Sequence, residues 1–358
     1  MGNTEVITRN NFLKNTEWMC KSKPDPWSNT EPAEWSRYSD VENLIIERAY
    51  SNGEAQALLD EYYIDFKANL QISTFDENQQ RPVKRMVRQR EDKHLREERF
   101  MDLPISSKRT YSGQYGWVSA FVIEVRKYLK LQPADLPSKK PELIPILVER
   151  AAEGIIQEGK YLKKEQEGKE LANMLREQKD KKIGEVWKCC AYLYSLESFL
   201  YKTLNATMRL VGDQEQEQVW RSKVCTLGPF CLLLWDDPLN KKPQTSKTLY
   251  RGANLTSAQI SNYEQMSDGL NQYQYQSFQA FTSCSRNREK AEEFGNTLFI
   301  MQVKLAFTAD LSGISEYPEE EEELITPGVC FRVTKTEYDC KKNKHLIYLQ
   351  LRQQYSSK

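Results

Sequence analysis

Five consecutive glutamates, Glu319 to Glu323, stand directly before the apolar pair Leu324-Ile325. Adjacent carboxylates repel one another, so a strand that begins here has to hold several negative charges at its start. Most charge runs are solvated loops, and this run taken alone predicts such a loop. Two motifs earlier in the chain favour a different interpretation, in which the carboxylates belong to a binding or catalytic site.

The composition is that of a globular protein without net charge. The chain has 358 residues, 51 of them basic and 51 acidic, so no global field recruits a membrane or nucleic acids in general. This length is sufficient for two or three domains, and a hydrophobic content of 39% favours a globular protein over disorder. No apolar stretch approaches the ~20 residues of a membrane helix, and the polar N-terminus lacks the apolar core of a secretory signal. We therefore expect an intracellular protein, cytoplasmic or nuclear, with no membrane span.

Cysteine and histidine usage excludes several kinds of site. The eight cysteines show no CxxC-type metal spacing, and reduced thiols are expected in an intracellular chain. Only two histidines, His94 and His345, are present. A histidine-based zinc site and a Ser-His-Asp triad are therefore disfavoured, and no metal is expected.

A polar lead, residues 1–20, is predicted to precede a small domain at residues 21–95. The markers of this domain are Trp27, Trp35, an amphipathic segment at 41–51 and a strand at 62–66. A basic cluster follows, formed by Arg81, Lys84, Arg85, Arg88 and Arg90. The cluster is either part of a binding surface or the solvated face of a strand.

The rest of the chain, about residues 105–355, changes from helical to strand patterning near residue 245. Apolar residues recur at spacings of three and four in predicted helices at 143–156, 186–210 and the charged, exposed segment 162–175. Beyond residue 246, strands are predicted at 298–305, 329–333 and 345–351, and a short helix at 285–294. Helices followed by mostly antiparallel strands indicate the α+β fold class.

Three motifs follow one another in this strand-rich part. The first is Arg251-Gly252 at the end of a strand, the second Ser283-Cys-Ser285 before a helix, and the third Glu321-Glu-Glu323 before a strand. Each has an ordinary explanation alone: a surface cation, an N-cap and a solvated run. Their combination in this order points to a shared site.

The combined motifs resemble the mono-ADP-ribosyltransferases of the Arg-Ser-Glu group, which includes vertebrate arginine-specific transferases and clostridial binary-toxin enzymes. The likeness covers about residues 180 to 352. It implies a helical part followed by a mostly antiparallel split β-sandwich. It also implies NAD as co-substrate, release of nicotinamide and no metal. Poly-ADP-ribose polymerases carry histidine where this chain has Arg251, so chain elongation is disfavoured.

The resemblance assigns NAD-binding roles to four residues. Arg251 would pair with a phosphate or ribose of NAD through its planar fork, and Gly252 would let the backbone approach the nicotinamide. Ser283 would position the ribose and the catalytic glutamate. Phe294 would support the nicotinamide, or else is a core residue of the short helix.

The resemblance also assigns the carboxylates. Glu323 corresponds to the catalytic glutamate, which stabilises the positive charge that develops on the anomeric carbon. Glu321 corresponds to its Glu-x-Glu companion, which orients the acceptor guanidinium and thereby implies protein arginine as the acceptor. The neighbouring glutamates leave the register ambiguous by one residue, with Glu322 at issue. Tyr317 is the candidate aromatic of the acceptor-recognition loop, at an offset spacing.

The N-terminal domain resembles a WWE domain over about residues 20 to 92, on the basis of Trp27, Trp35 and the pair Ile46-Glu47. This family folds as a half-open β-barrel packed on one helix and binds ADP-ribose, poly-ADP-ribose or adenine nucleotides. The likeness implies ligand contacts from Tyr62, Gln71 and Arg81, as an aromatic ring, an amide and a guanidinium. A protein-contact role for this domain is the alternative, since Asn29 stands where such readers often carry a further aromatic.

The sequence thus predicts an NAD-dependent mono-ADP-ribosyltransferase that modifies protein arginine and is guided by a WWE module. Two alternatives stay open: an NAD glycohydrolase, and a catalytically silent protein that binds ADP-ribose or a partner. General nucleic-acid binding is not expected, although ADP-ribosylation of a nucleic acid is not excluded.

Overall fold

The computed structural model describes residues 16–23, 25–27, 34–87, 118–132, 134–239, 243–267 and 275–353. Asn29, Arg88, Arg90 and His94 lie outside the described residues. The chain divides into two compact units. The first unit contains the described parts of residues 1–94 together with 152–177 and 193–201, and the second contains the remainder.

The first unit is built on a six-stranded antiparallel sheet in the order β2-β1-β6-β5-β4-β3. Its strands are β1 (Thr16–Lys21), β2 (Trp35–Arg37), β3 (Gln56–Leu58), β4 (Tyr62–Asp65), β5 (Leu70–Ser73) and β6 (Gln80–Val87). Helix α1 (Asp40–Ser51) packs against β1 and β3. Ser39 and Glu42 form a capping box at its start, in which each side chain bonds the other residue's backbone N–H.

Trp18 anchors the core of this unit. Its side chain is 2% exposed, and its indole N–H donates to the Glu47 carboxylate at 2.8 Å. Arg85 pairs with the same carboxylate at 2.7 Å. Trp27, by contrast, is 56% exposed. The sheet therefore begins within the expected lead of residues 1–20. The tryptophan that pairs with Glu47 is Trp18, which the sequence analysis did not single out.

Helices fill most of residues 118–239. Those described are α2 (Ala120–Tyr128), α3 (Ile144–Tyr161), α4 (Glu165–Arg176), α5 (Ile183–Ser195), α6 (Phe199–Arg209), α7 (Glu217–Ser222) and α8 (Val224–Trp235). A short 3-10 helix (Pro141–Leu143) leads into α3. Helix α4, expected to be exposed, belongs to the first unit and buries Leu171, Ala172 and Leu175. Its apolar stripe is covered because it packs against α1.

The single helix predicted over 186–210 is interrupted after Ser195. The backbone N–H of Glu197 donates to the Asp40 carboxylate at 2.7 Å. The N–H of Phe199 donates to the Glu167 carboxylate at 3.0 Å. Because two distant carboxylates accept these amides, the chain leaves the helix at this point and restarts as α6. Apolar spacing alone cannot reveal such partners.

The second unit contains an eight-stranded sheet in the order β11-β12-β9-β7-β10-β14-β13-β8. Its strands are β7 (Lys247–Ala253), β8 (Gln276–Ser277), β9 (Thr282–Ser285), β10 (Thr297–Leu305), β11 (Thr308–Asp310), β12 (Glu322–Ile325), β13 (Cys330–Asp339) and β14 (Lys344–Arg352). All neighbours pair antiparallel except β10 and β14. Helix α9 (Ser257–Ser267) packs on β13, and α10 (Arg288–Glu292) packs on β7. The α+β class is confirmed.

The sheet is nearly divided between β7 and β9, which share one facing pair, Tyr250 with Ser285. On the β7 side, β10 and β14 carry much of the apolar core, which includes Phe299, Met301 and Ile347. On the other side, β9 lies between β7 and β12. The site motifs lie on both sides of this junction.

The described residues contain no helix with the length and apolar character needed to cross a membrane.

Candidate active site

The arginine and serine motifs meet where β7 and β9 adjoin. Arg251 lies in β7 and is buried, and its guanidinium donates to the backbone oxygen of Ser283 at 2.5 Å. Ser283 is buried in β9. The contact holds a cation against the strand that carries the paired hydroxyls. Two of the three motifs are therefore in direct contact.

The glutamate motif lies on the next strand, β12, which pairs with β9. In this ladder Glu322 faces Ser285, Glu323 faces Cys284 and Leu324 faces Ser283. Directly opposed residues of an antiparallel pair project to the same face, and successive residues of one strand alternate between faces. Glu322 consequently shares a face with the two serine side chains, whereas Glu323 lies on the opposite face with Cys284.

Glu323 is held by side chains on its own face. Its carboxylate lies 2.5 Å from the Lys247 ammonium and 2.5 Å from the Thr308 hydroxyl. The Arg286 guanidinium is 3.6 Å away. Although Glu323 is buried, its charge is therefore compensated by two cations and a hydroxyl donor.

Three charged side chains affect the buried thiol of Cys284. Burial raises the pKa of its thiol to about 12, while Arg251 lowers that pKa and the carboxylates of Glu323 and Glu322 raise it further. The residues that the sequence motifs singled out thus surround one buried position, although they reach it from two faces of the sheet.

The rest of the glutamate run forms a tight turn. Glu320 is buried at the end of a 3-10 helix (Pro318–Glu320), and its backbone oxygen accepts from the Ser285 hydroxyl at 2.8 Å. Glu321 has a left-handed backbone with φ of 47°. Its carboxylate lies 3.4 Å from the Asn287 amide. The run is accordingly not a solvated loop, because three of its five side chains, those of Glu320, Glu322 and Glu323, are buried.

Ser285 has a structural role that the sequence pattern did not distinguish. Its hydroxyl also accepts from the backbone N–H of Asn287 at 2.9 Å. The N-cap of α10 is Asn287, not Ser285, and the helix is shorter than predicted. A serine two residues before an Asn-x-Glu start could have suggested this arrangement.

Gly252 and Phe294 lie against each other. A Cβ at Gly252 would come within 2.6 Å of the Phe294 Cβ and 2.5 Å of the Ala291 carbonyl oxygen. The missing side chain thus lets β7 approach the end of α10, whereas the sequence analysis expected an approach to nicotinamide. Phe294 is 3% exposed and packs as a core residue.

The candidate acceptor-recognition aromatic, Tyr317, is also buried. Two residues earlier in this loop, the Ser315 hydroxyl accepts from the Tyr317 backbone N–H at 3.1 Å. The adjacent Glu316 is buried and accepts from the Tyr192 hydroxyl at 2.9 Å. The loop before the glutamate run is therefore held by hydrogen bonds of its own residues, and the Tyr317 ring is shielded from solvent.

In the first unit, the structure brings the three expected ligand residues together. Gln71 faces Arg81 across β5 and β6, and Tyr62 faces Ser73 across β4 and β5. Since residues 71 and 73 of one strand share a face, Tyr62, Gln71 and Arg81 lie on one side of the sheet.

Two side chains that the sequence analysis missed complete this cluster. The Tyr38 hydroxyl donates to Gln71 at 2.7 Å, and the Tyr62 hydroxyl donates to Glu42 at 2.7 Å. Burial and the neighbouring Glu42 raise the pKa of the Tyr62 phenol, so it stays a donor. Glu42 was identifiable as the fourth residue of a Ser-x-x-Glu capping box, but nothing local marks Tyr38.

The residues around Cys284 have the donor set that a dinucleotide requires. Pyrophosphate is recognised by a guanidinium, and ribose hydroxyls by carboxylate or hydroxyl oxygens. Arg251, Ser283 and the glutamates of β12 supply both kinds of group. Within the described ranges, no three His, Cys, Asp or Glu side chains are grouped as a metal site would need.

The solved structures similar to this chain include three bacterial proteins, of which HopU1 is described as an ADP-ribosyltransferase. HopU1 of Pseudomonas syringae pv. tomato DC3000 is 19% identical, with a TM-score of 0.39 over 51% of this chain and 87% of that one. Exoenzyme S of Pseudomonas aeruginosa, solved with human 14-3-3 protein beta and carba-NAD, is 16% identical, with a TM-score of 0.36 over 57% and 88%. The type III effector XopAI of Xanthomonas axonopodis pv. citri is 13% identical, with a TM-score of 0.42 over 65% and 93%. These similarities are too weak to bear on substrate.

Two segments of the chain match known protein families. No protein with a curated description matches the chain. Residues 26–85 match the WWE domain. Residues 163–357, more than half of the chain, match the ART family, described as NAD:arginine ADP-ribosyltransferase. The chain therefore belongs to the NAD:arginine ADP-ribosyltransferase family and carries a WWE domain ahead of its transferase domain.

Proposed function

We propose that this chain transfers a single ADP-ribose unit from NAD to arginine side chains of acceptor proteins and releases nicotinamide. The observation that supports this most directly is the contact between the Arg251 guanidinium and the Ser283 carbonyl oxygen, beside the strand that carries the glutamates. This contact supports the proposal that a cation for phosphate and carboxylates for ribose serve one dinucleotide.

The proposed reaction requires that NAD is bound and that the positive charge developing on its ribose is stabilised. Arg251 holds a phosphate or ribose of NAD through charge-assisted hydrogen bonds, and the Ser283 hydroxyl positions the ribose. The bond between the anomeric carbon and the nicotinamide nitrogen breaks, and its electron pair leaves with nicotinamide. A carboxylate of β12 stabilises the positive charge that develops on that carbon.

An arginine acceptor requires a second carboxylate. A guanidinium has a pKa above ~12 and is a weak nucleophile until a carboxylate orients it and takes its proton. A new bond then forms between its nitrogen and the anomeric carbon, and the proton passes to the carboxylate. Glu321 was expected in this role, and its partial exposure beside Asn287 is compatible with contact to an acceptor.

The WWE domain is proposed to bind a ligand of the ADP-ribose type: ADP-ribose, poly-ADP-ribose or an adenine nucleotide. Tyr62, Gln71 and Arg81 on one sheet face offer a ring, an amide and a guanidinium. Tyr62 and Gln71 are bonded to Glu42 and Tyr38 in this structure. Ligand binding would exchange those bonds, so we expect a Gln71→Ala variant to weaken ADP-ribose binding in calorimetry without abolishing transfer.

The test is incubation of the full chain with NAD labelled on its adenosine part, with polyarginine and, separately, polylysine as acceptors. We expect label on polyarginine and an equal amount of free nicotinamide. Label recovered only as free ADP-ribose would identify an NAD glycohydrolase, and intact NAD would identify a catalytically silent protein. Either result overturns the proposal.

Matched variants show whether the site carries the activity. Arg251→Gln should reduce transfer by about 10²-fold, as loss of a charge-assisted contact does. Arg288→Gln removes an arginine of the α10 surface that pairs with Glu292 at 2.7 Å, and transfer should be retained. Thermal melting of both variants separates loss of the site from loss of the fold.

A further inference from the structure

We infer that Glu42 and the Tyr62 hydroxyl together bind the amino edge of adenine in the ligand of the WWE domain. The Glu42 carboxylate would accept from the exocyclic amino group, and the Tyr62 hydroxyl would donate to the adjacent ring nitrogen. This inference rests on the ligand class proposed above and names the residues that distinguish adenine from other purines. Glu42 was not among the ligand contacts expected from the sequence.

The Tyr62 hydroxyl and the Glu42 carboxylate form a matched donor and acceptor. The hydroxyl donates to Oε1 of Glu42 at 2.7 Å, whereas the Lys164 ammonium, 3.9 Å from the same oxygen, is beyond hydrogen-bonding distance. Burial and the neighbouring Glu42 raise the pKa of the Tyr62 phenol, so the hydroxyl stays protonated and can donate. A ligand that separates this pair therefore has to offer an acceptor to Tyr62 and a donor to Glu42.

Adenine carries such an acceptor and such a donor side by side. Its exocyclic amino group is a donor, and the ring nitrogen beside that group is an acceptor. Insertion of this edge breaks the hydrogen bond between Tyr62 and Glu42 and forms a new bond to each of them, so neither protein group is left without a partner. Guanine and hypoxanthine have an exocyclic oxygen at the same position, and an oxygen without a proton cannot donate to a carboxylate.

The position of Glu42 is fixed by the other oxygen of its carboxylate. Oε2 accepts from the Ser39 backbone N–H at 3.0 Å, as part of the capping box of α1. The Glu42 side chain is 16% exposed, so water replaces a lost donor poorly and an unpaired carboxylate oxygen here carries a desolvation cost. Glu42 is therefore placed to favour a ligand that supplies a donor and to penalise one that does not.

The charges of the cluster give the ligand an orientation. Arg81 lies on β6 and Tyr62 on β4, with β5 between them. One guanidinium nitrogen of Arg81 donates to the backbone oxygens of Lys21 and Lys23 at 2.9 and 2.8 Å, which holds this cation on the β6 side. A phosphate near Arg81 would put the base end of a nucleotide beside Tyr62 and keep the phosphate away from the Glu42 carboxylate, which would repel it.

The experiment compares AMP with IMP, which has an oxygen where AMP has the amino group. Binding to the full chain is measured by calorimetry, and the binding that Gln71→Ala weakens is assigned to this cluster. The wild type should bind AMP at least about tenfold more tightly than IMP, because a site that pairs with an amino group rejects an analogue without it. Purine riboside monophosphate, which has only hydrogen at that position, should also bind at least about tenfold more weakly than AMP.

Glu42→Gln tests whether the carboxylate causes this preference. Glutamine also serves at this position of a capping box, so the melting temperature should stay near that of the wild type. Because the glutamine amide can donate to the exocyclic oxygen of IMP, the preference for AMP should fall to within about threefold. The matched control is Glu61→Gln, which changes an exposed glutamate next to Tyr62 in the chain and should keep the wild-type preference.

Tyr62→Phe covers the case in which Glu42→Gln does not fold. This variant keeps the ring, removes the donor to the ring nitrogen, and should weaken AMP binding by about fivefold or more.

Equal binding of AMP and IMP by the wild type would overturn the inference, and so would a preference that Glu42→Gln leaves intact or an AMP affinity that Tyr62→Phe leaves unchanged. If neither ADP-ribose nor AMP shows binding that depends on Gln71, the ligand class proposed for this domain is wrong, which is a separate result.

Discussion

The Asp60 carboxylate accepts a hydrogen bond from the backbone N–H of Gln166 at 2.7 Å, although the two residues are 106 positions apart. The same carboxylate lies 3.4 Å from the N–H of Glu167. These two N–H groups belong to the first turn of α4, where backbone N–H groups have no intrahelical carbonyl to accept their hydrogen bonds. Lys164, at the N-cap of α4, makes no side-chain capping bond among the described residues. Asp60 thus caps a helix from the loop between β3 and β4.

Replacing Asp60 with alanine should destabilise the first unit by about 0.5–2 kcal/mol, as loss of an N-cap does. Asp60→Asn keeps an acceptor oxygen and should recover most of that loss. Urea unfolding of the two variants measures both changes. Equal destabilisation by alanine and asparagine would show that the charge matters and the capping bond does not.

The contacts of α4 also determine which fragments of the chain are expected to fold stably. The family match to the transferase begins at residue 163, yet α4 belongs to the compact unit that contains the WWE sheet. Arg48 of α1 pairs with Glu170 of α4 at 2.7 Å, and Asp40 accepts from Glu197. A fragment of residues 163–358 lacks these partners. We expect it to be cut by protease within the α4–α6 region, at an enzyme concentration that leaves the full chain intact.

We expect Glu167 to make the stability of the first unit depend on pH. Burial raises the pKa of its carboxyl from 4.5 to about 7, while the Phe199 amide and Lys164 lower that pKa and the carboxylates of Glu42 and Asp60 raise it. A carboxyl with a raised pKa in the folded state binds its proton more tightly there than in the unfolded chain. The stabilisation of the folded state by this bound proton is fully present below about pH 4.5 and is lost as the pH rises through 7.

A Glu167→Gln variant tests this linkage. Between pH 5 and pH 8 the free energy of unfolding of the wild type should fall relative to that of the variant by about 2 kcal/mol. The glutamine amide can still accept from Phe199, so the structural bond is retained. Urea unfolding at the two pH values gives the difference. Parallel pH dependence of the two proteins would exclude a raised pKa at Glu167.

Trp18 and Trp27 offer a matched pair of substitutions. Trp18→Phe removes the indole N–H that donates to buried Glu47, and should cost about 1–3 kcal/mol because a buried acceptor loses a partner. Trp27→Phe changes an exposed ring and should stay within about 0.5 kcal/mol of wild type. Thermal melting measures both. A larger effect at Trp27 would contradict the position of Trp18 in the core.

The fold was predictable where local pattern decides structure. Runs of β-branched and aromatic residues predict β10 and β14 to within a residue or two at each end, and apolar spacing predicts most of α3. The break after Ser195 was not predictable, because its causes are the carboxylates of Asp40 and Glu167. Periodicity carries no information about partners so far away along the chain.

The candidate site was predictable as a set of motifs but not as a geometry. The order of arginine, serine and glutamate motifs indicates the family, which the comparison with family models confirms. A shift of the strand pairing by one residue would move each glutamate to the other face of the sheet. Because five glutamates follow one another, the local sequence does not indicate which of them begins the strand. The register was decided instead by contacts with Ser285, Arg286 and Lys247, which belong to other strands or their ends.

Gly252 provides the last test, because its missing side chain is explained by packing. A Cβ at this position would lie 2.5 Å from the Ala291 carbonyl oxygen and 2.6 Å from the Phe294 Cβ, so Gly252→Ala should cost about 1–3 kcal/mol as an overpacked core does. At Gly313, in the same unit, an added Cβ meets no atom within 4 Å, and Gly313→Ala should change stability by less than about 0.5 kcal/mol. Thermal melting in the absence of NAD distinguishes the two effects. If Gly252→Ala melts like the wild type but binds NAD more weakly, the glycine serves the ligand, as the family resemblance implies, and the contact between β7 and α10 tolerates a methyl group.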